Sequence, residues 1–178
     1  MAKSKKKKFT DNADKSCKET VYITPVKYLK PVRIYFGGSI PFDVATEPSN
    51  PSKALGFWTK KHNSLKRSWP DEGFVNPPYG RVMRKWTRKI RESSEQGKTY
   101  IALLPCGARF STKYWQADIL QPCLNSICLV NKRIPFERPD GTVADSNPYD
   151  SAFYGFNVDP DFFAECFERY GKTTTVSF

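Results

Sequence analysis

The residues with the clearest chemical potential are Asn76-Pro77-Pro78-Tyr79, which follow the apolar pair Phe74-Val75 and precede a glycine. Two consecutive prolines fix φ and remove two backbone N–H donors, so the turn is rigid, extended and rich in unpaired carbonyls. The Asn76 side-chain oxygen and the Pro77 carbonyl can then accept both hydrogens of a planar amino group, while Tyr79 stacks on its ring. The nitrogen lone pair would point toward an electrophile, and catalysis would come from position and electrostatics.

A proline turn with a packed tyrosine is the purely structural interpretation of the same four residues. Pro-Pro alone favours that interpretation, but a strand before the motif and a helix after it favour a site. A nucleobase in a duplex must leave the stack to reach such a pocket. The motif therefore predicts a basic surface beside it.

The segment that follows carries six basic residues and no acidic residue between positions 81 and 91. At helical spacing Val82, Met83, Trp86 and Ile90 share one face, and the basic side chains occupy the other. A solvated charged face explains part of this pattern. Six like charges without acidic partners one turn away destabilise a helix, which favours an anionic ligand. The six residues are Arg81, Arg84, Lys85, Arg88, Lys89 and Arg91.

The elements that must position the motif alternate between helices and strands. The sequence predicts helices over residues 26–36 (interrupted at Pro31), 53–61, 81–97, 112–120 and 161–170, and strands over 40–45, 73–75, 99–104, 126–130, 133–136 and 151–156. Several of these strands are continuously apolar, which is typical of parallel strands covered on both faces. We predict a single α/β domain with a mainly parallel sheet flanked by helices. Ligands bind beyond the carboxyl ends of such strands, so residues 43–45, 76–79 and 105–107 should line the site.

The length of 178 residues suits one domain, and 29 Lys and Arg against 18 Asp and Glu give a net charge of +11. Residues 1–20 contain seven lysines and three acidic residues, which leaves a net charge of +7 on residues 21–178. We predict a basic flexible arm over 1–20 and a folded domain over 21–178. The arm either solubilises the chain or binds phosphates. The basic domain indicates a polyanionic partner.

Metal and nucleophilic catalysis are disfavoured by the composition. The five cysteines form no Cys-x-x-Cys pair, and the single histidine, His62, lies in a polar stretch typical of an exposed loop. The apolar stretch 100–104 is far too short to span a bilayer, and no apolar segment of a secretory signal follows the N-terminal lysines. We expect no metal, no membrane and a cytoplasmic location.

The motif resembles the hallmark of amino methyltransferases that use S-adenosylmethionine. The wider pattern resembles the small phage-type DNA adenine-N-6 methyltransferases, the phage Dam-like family, over about residues 22–157. The matching segments are Tyr22-Ile23-Thr24-Pro25, Phe42-Asp43-Val44-Ala45 with Asn50, Trp69, Gly73 to Gly80, Trp86, Gly97, Leu103-Leu104-Pro105, Tyr114-Trp115, Lys132 to Phe136 and Ser151-Ala152.

The resemblance implies a Rossmann-like methyltransferase domain that methylates a flipped-out adenine in double-stranded DNA, with S-adenosylmethionine as cofactor. It implies Asn76, Pro77, Pro78 and Tyr79 as catalytic residues. It implies a cofactor pocket formed by Tyr22, Thr24, Pro25, Asp43, Ala45 and Asn76, and nucleic-acid contacts from Arg81, Arg84, Lys85, Arg88 and Arg109. Asp43 suits the methionine ammonium or the ribose; a loop cap after a strand is the alternative. Modification of phage DNA against restriction is the expected biological role.

Two departures from the family pattern keep alternatives open. No Gly-x-Gly loop follows the first strand, and residues 62–65 lack the acidic residue that the family often carries there. One alternative keeps the chemistry but changes the acceptor to cytosine N-4, RNA or a protein glutamine. Another is a catalytically inactive, basic DNA-binding protein of the same fold.

Overall fold

The computed structural model of the protein describes residues 22–107, 110–138, 140–144 and 150–178. Within these ranges the helices are α1 (Val26–Tyr35), α2 (Met83–Ser94), α3 (Lys113–Asp118) and α4 (Pro160–Phe167), with short 3-10 turns at Lys60–His62 and Ser64–Lys66. The strands are β1 (Phe42–Asp43), β2 (Gly56–Phe57), β3 (Glu72–Val75), β4 (Thr99–Pro105), β5 (Leu124–Val130), β6 (Ser151–Phe156) and β7 (Gly171–Thr175). They form one sheet in the order β2-β1-β3-β4-β6-β5-β7.

The sheet is mixed. The neighbours among β1, β2, β3 and β4 are parallel, whereas β6 is antiparallel to both β4 and β5, and β7 is antiparallel to β5. Strands β1 to β5 therefore point one way, and β6 and β7 point the other. The predicted single α/β Rossmann-like domain is confirmed. The prediction of a mainly parallel sheet is correct for the direction in which most strands run, but not for the pairing of neighbouring strands. The described residues between β5 and β6 form no crossover helix, and antiparallel neighbours do not need one.

Helices cover both faces of the sheet. Leu29 and Val32 of α1 and Phe163 of α4 pack into one hydrophobic core, and Trp86 of α2 and Trp115 of α3 pack into the other. Strand β4 contributes Ile101 and Leu103 to the first core and Tyr100, Ala102 and Leu104 to the second. This two-sided burial explains why the strand is apolar at consecutive positions.

Most predicted elements are present at nearly the predicted positions, but the helix over 53–61 is wrong. Residues 56–57 form β2 instead, followed by the 3-10 turn Lys60–His62. A Cβ atom on Gly56 would lie 2.4 Å from the Phe42 ring, so close packing against β1 requires glycine here. Helix α1 also continues through Pro31 without the predicted interruption, and the predicted strand over 40–45 is reduced to β1.

The C-terminal half differs at two further places. Residues 133–136, predicted as a strand, form a turn in which the Phe136 N–H donates to the Ile134 carbonyl at 2.9 Å. Strand β7 was not predicted, because its Lys and Thr residues show no apolar alternation. It forms by backbone pairing with β5 at the edge of the sheet.

Residues 1–20, the predicted basic arm, lie outside the described ranges. None of the helices within those ranges is long and apolar enough to cross a membrane.

Two-sided burial of β4 predicts that both of its leucines contribute strongly to stability. Leu103→Ala and Leu104→Ala should each lower the free energy of unfolding by about 2–5 kcal/mol, because both side chains are 0% exposed, one in each core. Leu55→Ala is the matched control: that side chain is 79% exposed, and the expected change is within about 0.5 kcal/mol. Denaturant unfolding followed by circular dichroism measures all three. A large loss for only one of the β4 variants would contradict burial on both faces.

Candidate active site

A cavity of about 530 Å³ lies beyond the carboxyl ends of β1 and β3. Five segments line it: Tyr22 ahead of α1, the loop after β1, the motif after β3, the 3-10 turns, and the start of α2. A smaller cavity of about 20 Å³ shares Tyr22, Ala45, Thr46, Glu47 and Asn76 with it and also contacts Thr24, Asp43 and Ser52. Residues 43–45, Asn76 and Pro78 line these cavities as predicted, but residues 105–107, which were also expected there, line neither.

The Asn76 side chain is held in one orientation between the two cavities. Its Nδ2 donates to the Tyr22 carbonyl oxygen at 3.1 Å and to Thr24 Oγ1 at 3.0 Å. Its Oδ1 is buried and has no hydrogen-bond partner among the described residues. A buried acceptor left unpaired costs about 1–3 kcal/mol. This oxygen is thus available to accept a hydrogen from a ligand.

Residues far away in the sequence hold Tyr22 and Thr24 in place. Ile23 and Glu137 exchange two backbone hydrogen bonds of 2.8 and 3.0 Å. Phe136, fully buried, packs its ring 5.4 Å from that of Tyr22. Sequence reasoning missed this anchor, because nothing in the pattern of either segment indicates that they pair.

Tyr79, the last residue of the motif, is buried and lines neither cavity. Its side chain is 4% exposed, and its ring makes edge contacts with Tyr22 at 5.7 Å and Phe136 at 6.2 Å. Pro77 is buried, and Pro78 lines the larger cavity. Stacking of Tyr79 on a base therefore stays a prediction, whereas its packing against Tyr22 is observed.

Asp43, at the end of β1, is a buried carboxylate beside the smaller cavity. Its Oδ1 accepts from the Ala45 N–H at 3.0 Å, so it also caps the loop. Burial raises the pKa of Asp43 to about 6, against the lowering effect of hydrogen bonds from Ser52, Ala45 and Thr46. No lysine or arginine in the described ranges forms an ion pair with it. Such a carboxylate suits a ligand that brings a positive charge or a hydroxyl donor.

Asn50 organises the loop that brings Ser52 within hydrogen-bond distance of Asp43. The Asn50 backbone is left-handed, with φ 47°, and its side chain bonds both the N–H and the carbonyl of Ala54 at 3.2 and 3.0 Å. The Arg33 guanidinium of α1 donates to the Ser52 carbonyl at 2.9 Å. The matching Asn50 in the sequence pattern therefore has a structural role in shaping the pocket.

The basic helix is α2, and some of the basic side chains on its polar face have acidic partners. Arg91 lies 3.8 Å from both Glu95 and Asp118, and Lys89 lies 3.9 Å from Glu92. The expectation that all six basic residues lack acidic partners is therefore wrong. The acidic partners lie outside the segment 81–91, either later in the sequence next to it or on α3. The predicted contacts Arg81, Arg84, Lys85 and Arg88 are exposed, and Lys85 lines the larger cavity. Arg109 lies outside the described residues.

The segment 59–65, which sequence reasoning did not assign to the site, forms one wall of the larger cavity. It contains His62, which is exposed and accepts the Thr59 N–H on Nδ1 at 2.9 Å, so the histidine caps a turn. Asn63, Ser64 and Leu65 line the cavity despite the missing acidic residue. Thr46, Glu47, Val82 and Trp86 were missed as well, since lining a cavity depends on tertiary placement. No cluster of three or more possible metal ligands occurs in the described ranges.

An α/β sheet with a cavity at the carboxyl ends of its strands is the arrangement of Rossmann-like enzymes. A family model described as DNA N-6-adenine-methyltransferase (Dam) matches residues 11–153. The chain therefore belongs to this family, and its activity is the methylation of adenine N-6 in DNA. The resemblance in the sequence is confirmed, and the family description names DNA adenine as the acceptor. Among curated proteins no match to the chain was found.

Replacing Asp43 by Asn should stabilise the ligand-free protein more at neutral pH than in mild acid. The pKa is about 6 in the folded protein against 3.8 for the ordinary carboxyl. Because the folded-state pKa is the higher, the wild type loses stability as the pH rises through this window, and asparagine does not titrate. Denaturant unfolding of both proteins from about pH 4 to pH 7 should show a widening difference in unfolding free energy. A difference that does not change with pH would contradict an uncompensated buried carboxylate.

Proposed function

We propose that this chain binds S-adenosylmethionine in the two cavities and methylates the N-6 amino group of an adenine flipped out of the DNA stack, with Asn76 as its principal catalytic residue. The observation that carries the proposal is the buried, unpartnered Oδ1 of Asn76. The amide nitrogen is occupied by Tyr22 and Thr24, so an incoming amino group meets an acceptor and not a second donor.

In this mechanism the chain acts by hydrogen bonding at the amino nitrogen. Asn76 Oδ1 and the Pro77 carbonyl accept the two N-6 hydrogens, which draws the nitrogen lone pair out of conjugation with the purine ring and orients it. S-adenosylmethionine, when bound, supplies a methyl group on a positively charged sulfur. The site needs no strong base, since the methylated nitrogen becomes acidic and releases its extra proton to water. Position and electrostatics then account for the rate.

The residues present fit the cofactor. The larger cavity, about 530 Å³, is within the usual range for such ligands. Its apolar side chains Leu65, Val82 and Trp86 suit the adenine ring, and Asp43 beside the smaller cavity suits the methionine ammonium. Tyr22, Thr24, Ala45 and Asn76 line the space between these ends. Pro25 lines neither cavity and precedes α1, so we assign it an indirect role.

The depth of the acceptor supports flipping of the target base. Asn76 is only 8% exposed, so an adenine inside a duplex cannot bring its amino group to Oδ1. Exposed Arg84, Lys85 and Arg88 lie on the solvent face of α2, directly after the motif, where they can hold phosphates. The packing of Tyr79 against Tyr22 supports a role in holding the motif, with base stacking as its second role.

Asn76→Ala tests the assignment of the catalytic acceptor. Transfer of labelled methyl groups to adenine-containing DNA should fall by about 10²–10³-fold, as when one preorganised hydrogen-bond partner is removed from other active sites. Asn131→Ala, at an exposed position after β5, should leave the rate unchanged. Thermal unfolding of both variants controls for misfolding. Wild-type rates in a folded Asn76→Ala protein would contradict the proposal.

Cofactor binding should depend on pH through Asp43. Affinity for S-adenosylmethionine should rise as the pH rises toward the Asp43 pKa of about 6 and level off above it, because only the carboxylate attracts an ammonium. Asp43→Asn should remove this dependence and weaken binding about 10- to 100-fold, the worth of a hydrogen bond to a charged group. Calorimetry across this range is the measurement. A wild type that gives no binding signal would contradict the assignment of the two cavities to the cofactor.

A further inference from the structure

A second basic element borders the larger cavity, apart from α2. Residues 59–67 contain four basic residues and no acidic one: Lys60, Lys61, Lys66 and Arg67. All four side chains are exposed. Lys60 and Lys61 line the cavity from the first 3-10 turn, and Lys85 lines it from α2. Cations from two separate elements therefore surround one opening.

This element is held rigidly against the domain. Trp69 Nε1 donates to the Ser64 carbonyl at 3.0 Å, and the Arg67 Nε donates to the His62 carbonyl at 2.6 Å. The Arg67 guanidinium also lies over the Trp58 ring, 5.4 Å from its centroid. The turn Ser64–Lys66 packs against α2. The basic side chains are thus carried on a fixed support beside the helix.

The number of cations exceeds what the cofactor can neutralise. S-adenosylmethionine carries one carboxylate, whereas the exposed basic residues of the two elements include Lys60, Lys61, Lys66, Arg67, Arg84, Lys85 and Arg88. Like charges at this density favour a polyanion whose phosphates repeat along its length. DNA is the polyanion that the family's activity requires.

We propose that residues 59–67 form a second DNA-contacting wall, so that DNA spanning this wall and α2 closes the opening of the cofactor cavity. The inference rests on the proposed function, because it takes the larger cavity as the cofactor site. It requires the cofactor to enter before DNA and to leave after it.

The first arm of the test measures DNA affinity against salt concentration. The variants are Lys61→Ala/Lys66→Ala and the control Lys172→Ala, whose exposed side chain lies on β7 at the opposite edge of the sheet from β2. Each lost phosphate contact should reduce the slope of log affinity against log salt by about 1, whatever the DNA sequence. The control should match the wild type. A double variant with the wild-type slope and affinity would overturn the second wall.

The second arm measures dissociation of labelled S-adenosylhomocysteine, which binds without turnover, in the presence and absence of a duplex. Duplex should slow release from the wild type and from Lys172→Ala by a factor of about 10, within the usual range of coupling between two sites. Lys61→Ala/Lys85→Ala should lose most of this effect. If duplex does not change the release rate in an enzyme that methylates normally, DNA does not close the cofactor cavity, and only that part of the proposal is overturned. A wild type that binds neither cofactor nor DNA would overturn the proposed function as well.

Discussion

Two hydrogen bonds that fix the Asn76 amide are the constraint on which the site depends. A free amide can present either its oxygen or its nitrogen, and only the oxygen can accept from an adenine amino group. The Tyr22 carbonyl and Thr24 hydroxyl occupy the nitrogen, and Oδ1 stays unpaired. The backbone pairing of Ile23 with Glu137 and the packing of Phe136 set the position of those two acceptors.

The sheet supplies the frame for this arrangement. Parallel pairing of β1 with β3 brings Asp43 and the motif to the same edge, with a buried carboxylate near one end of the ligand space and a neutral acceptor at its centre. The carboxylate is costly in the ligand-free protein, since burial opposes its ionisation. A cationic ligand would offset that cost at Asp43, and a bound hydrogen-bond donor would satisfy the unpaired oxygen of Asn76.

Local features of the chain could be predicted well, and contacts between distant segments could not. Strand β3, the proline turn and α2 follow from adjacent residues: an apolar pair, two prolines and a helical apolar stripe. The partners of Asn76 lie 52 and 54 residues earlier, and no local pattern indicates the contact. The predicted helix over 53–61 and the predicted strand over 133–136 are wrong for the same reason. Residues 56–57 form a strand because they pair with β1. Residues 133–136 form no strand, and Phe136 instead packs against the rings of Tyr22 and Tyr79.

The structure of a ternary complex would show whether Asn76 Oδ1 accepts a hydrogen from the target amino group. Crystals of the wild type with S-adenosylhomocysteine and a short duplex that contains the target adenine would show the atoms around Asn76. We expect a flipped adenine whose N-6 lies about 3 Å from Asn76 Oδ1, with Nδ2 still bonded to Tyr22 and Thr24. An adenine bound away from Asn76, or an amide turned so that Oδ1 meets a protein donor, would contradict this expectation.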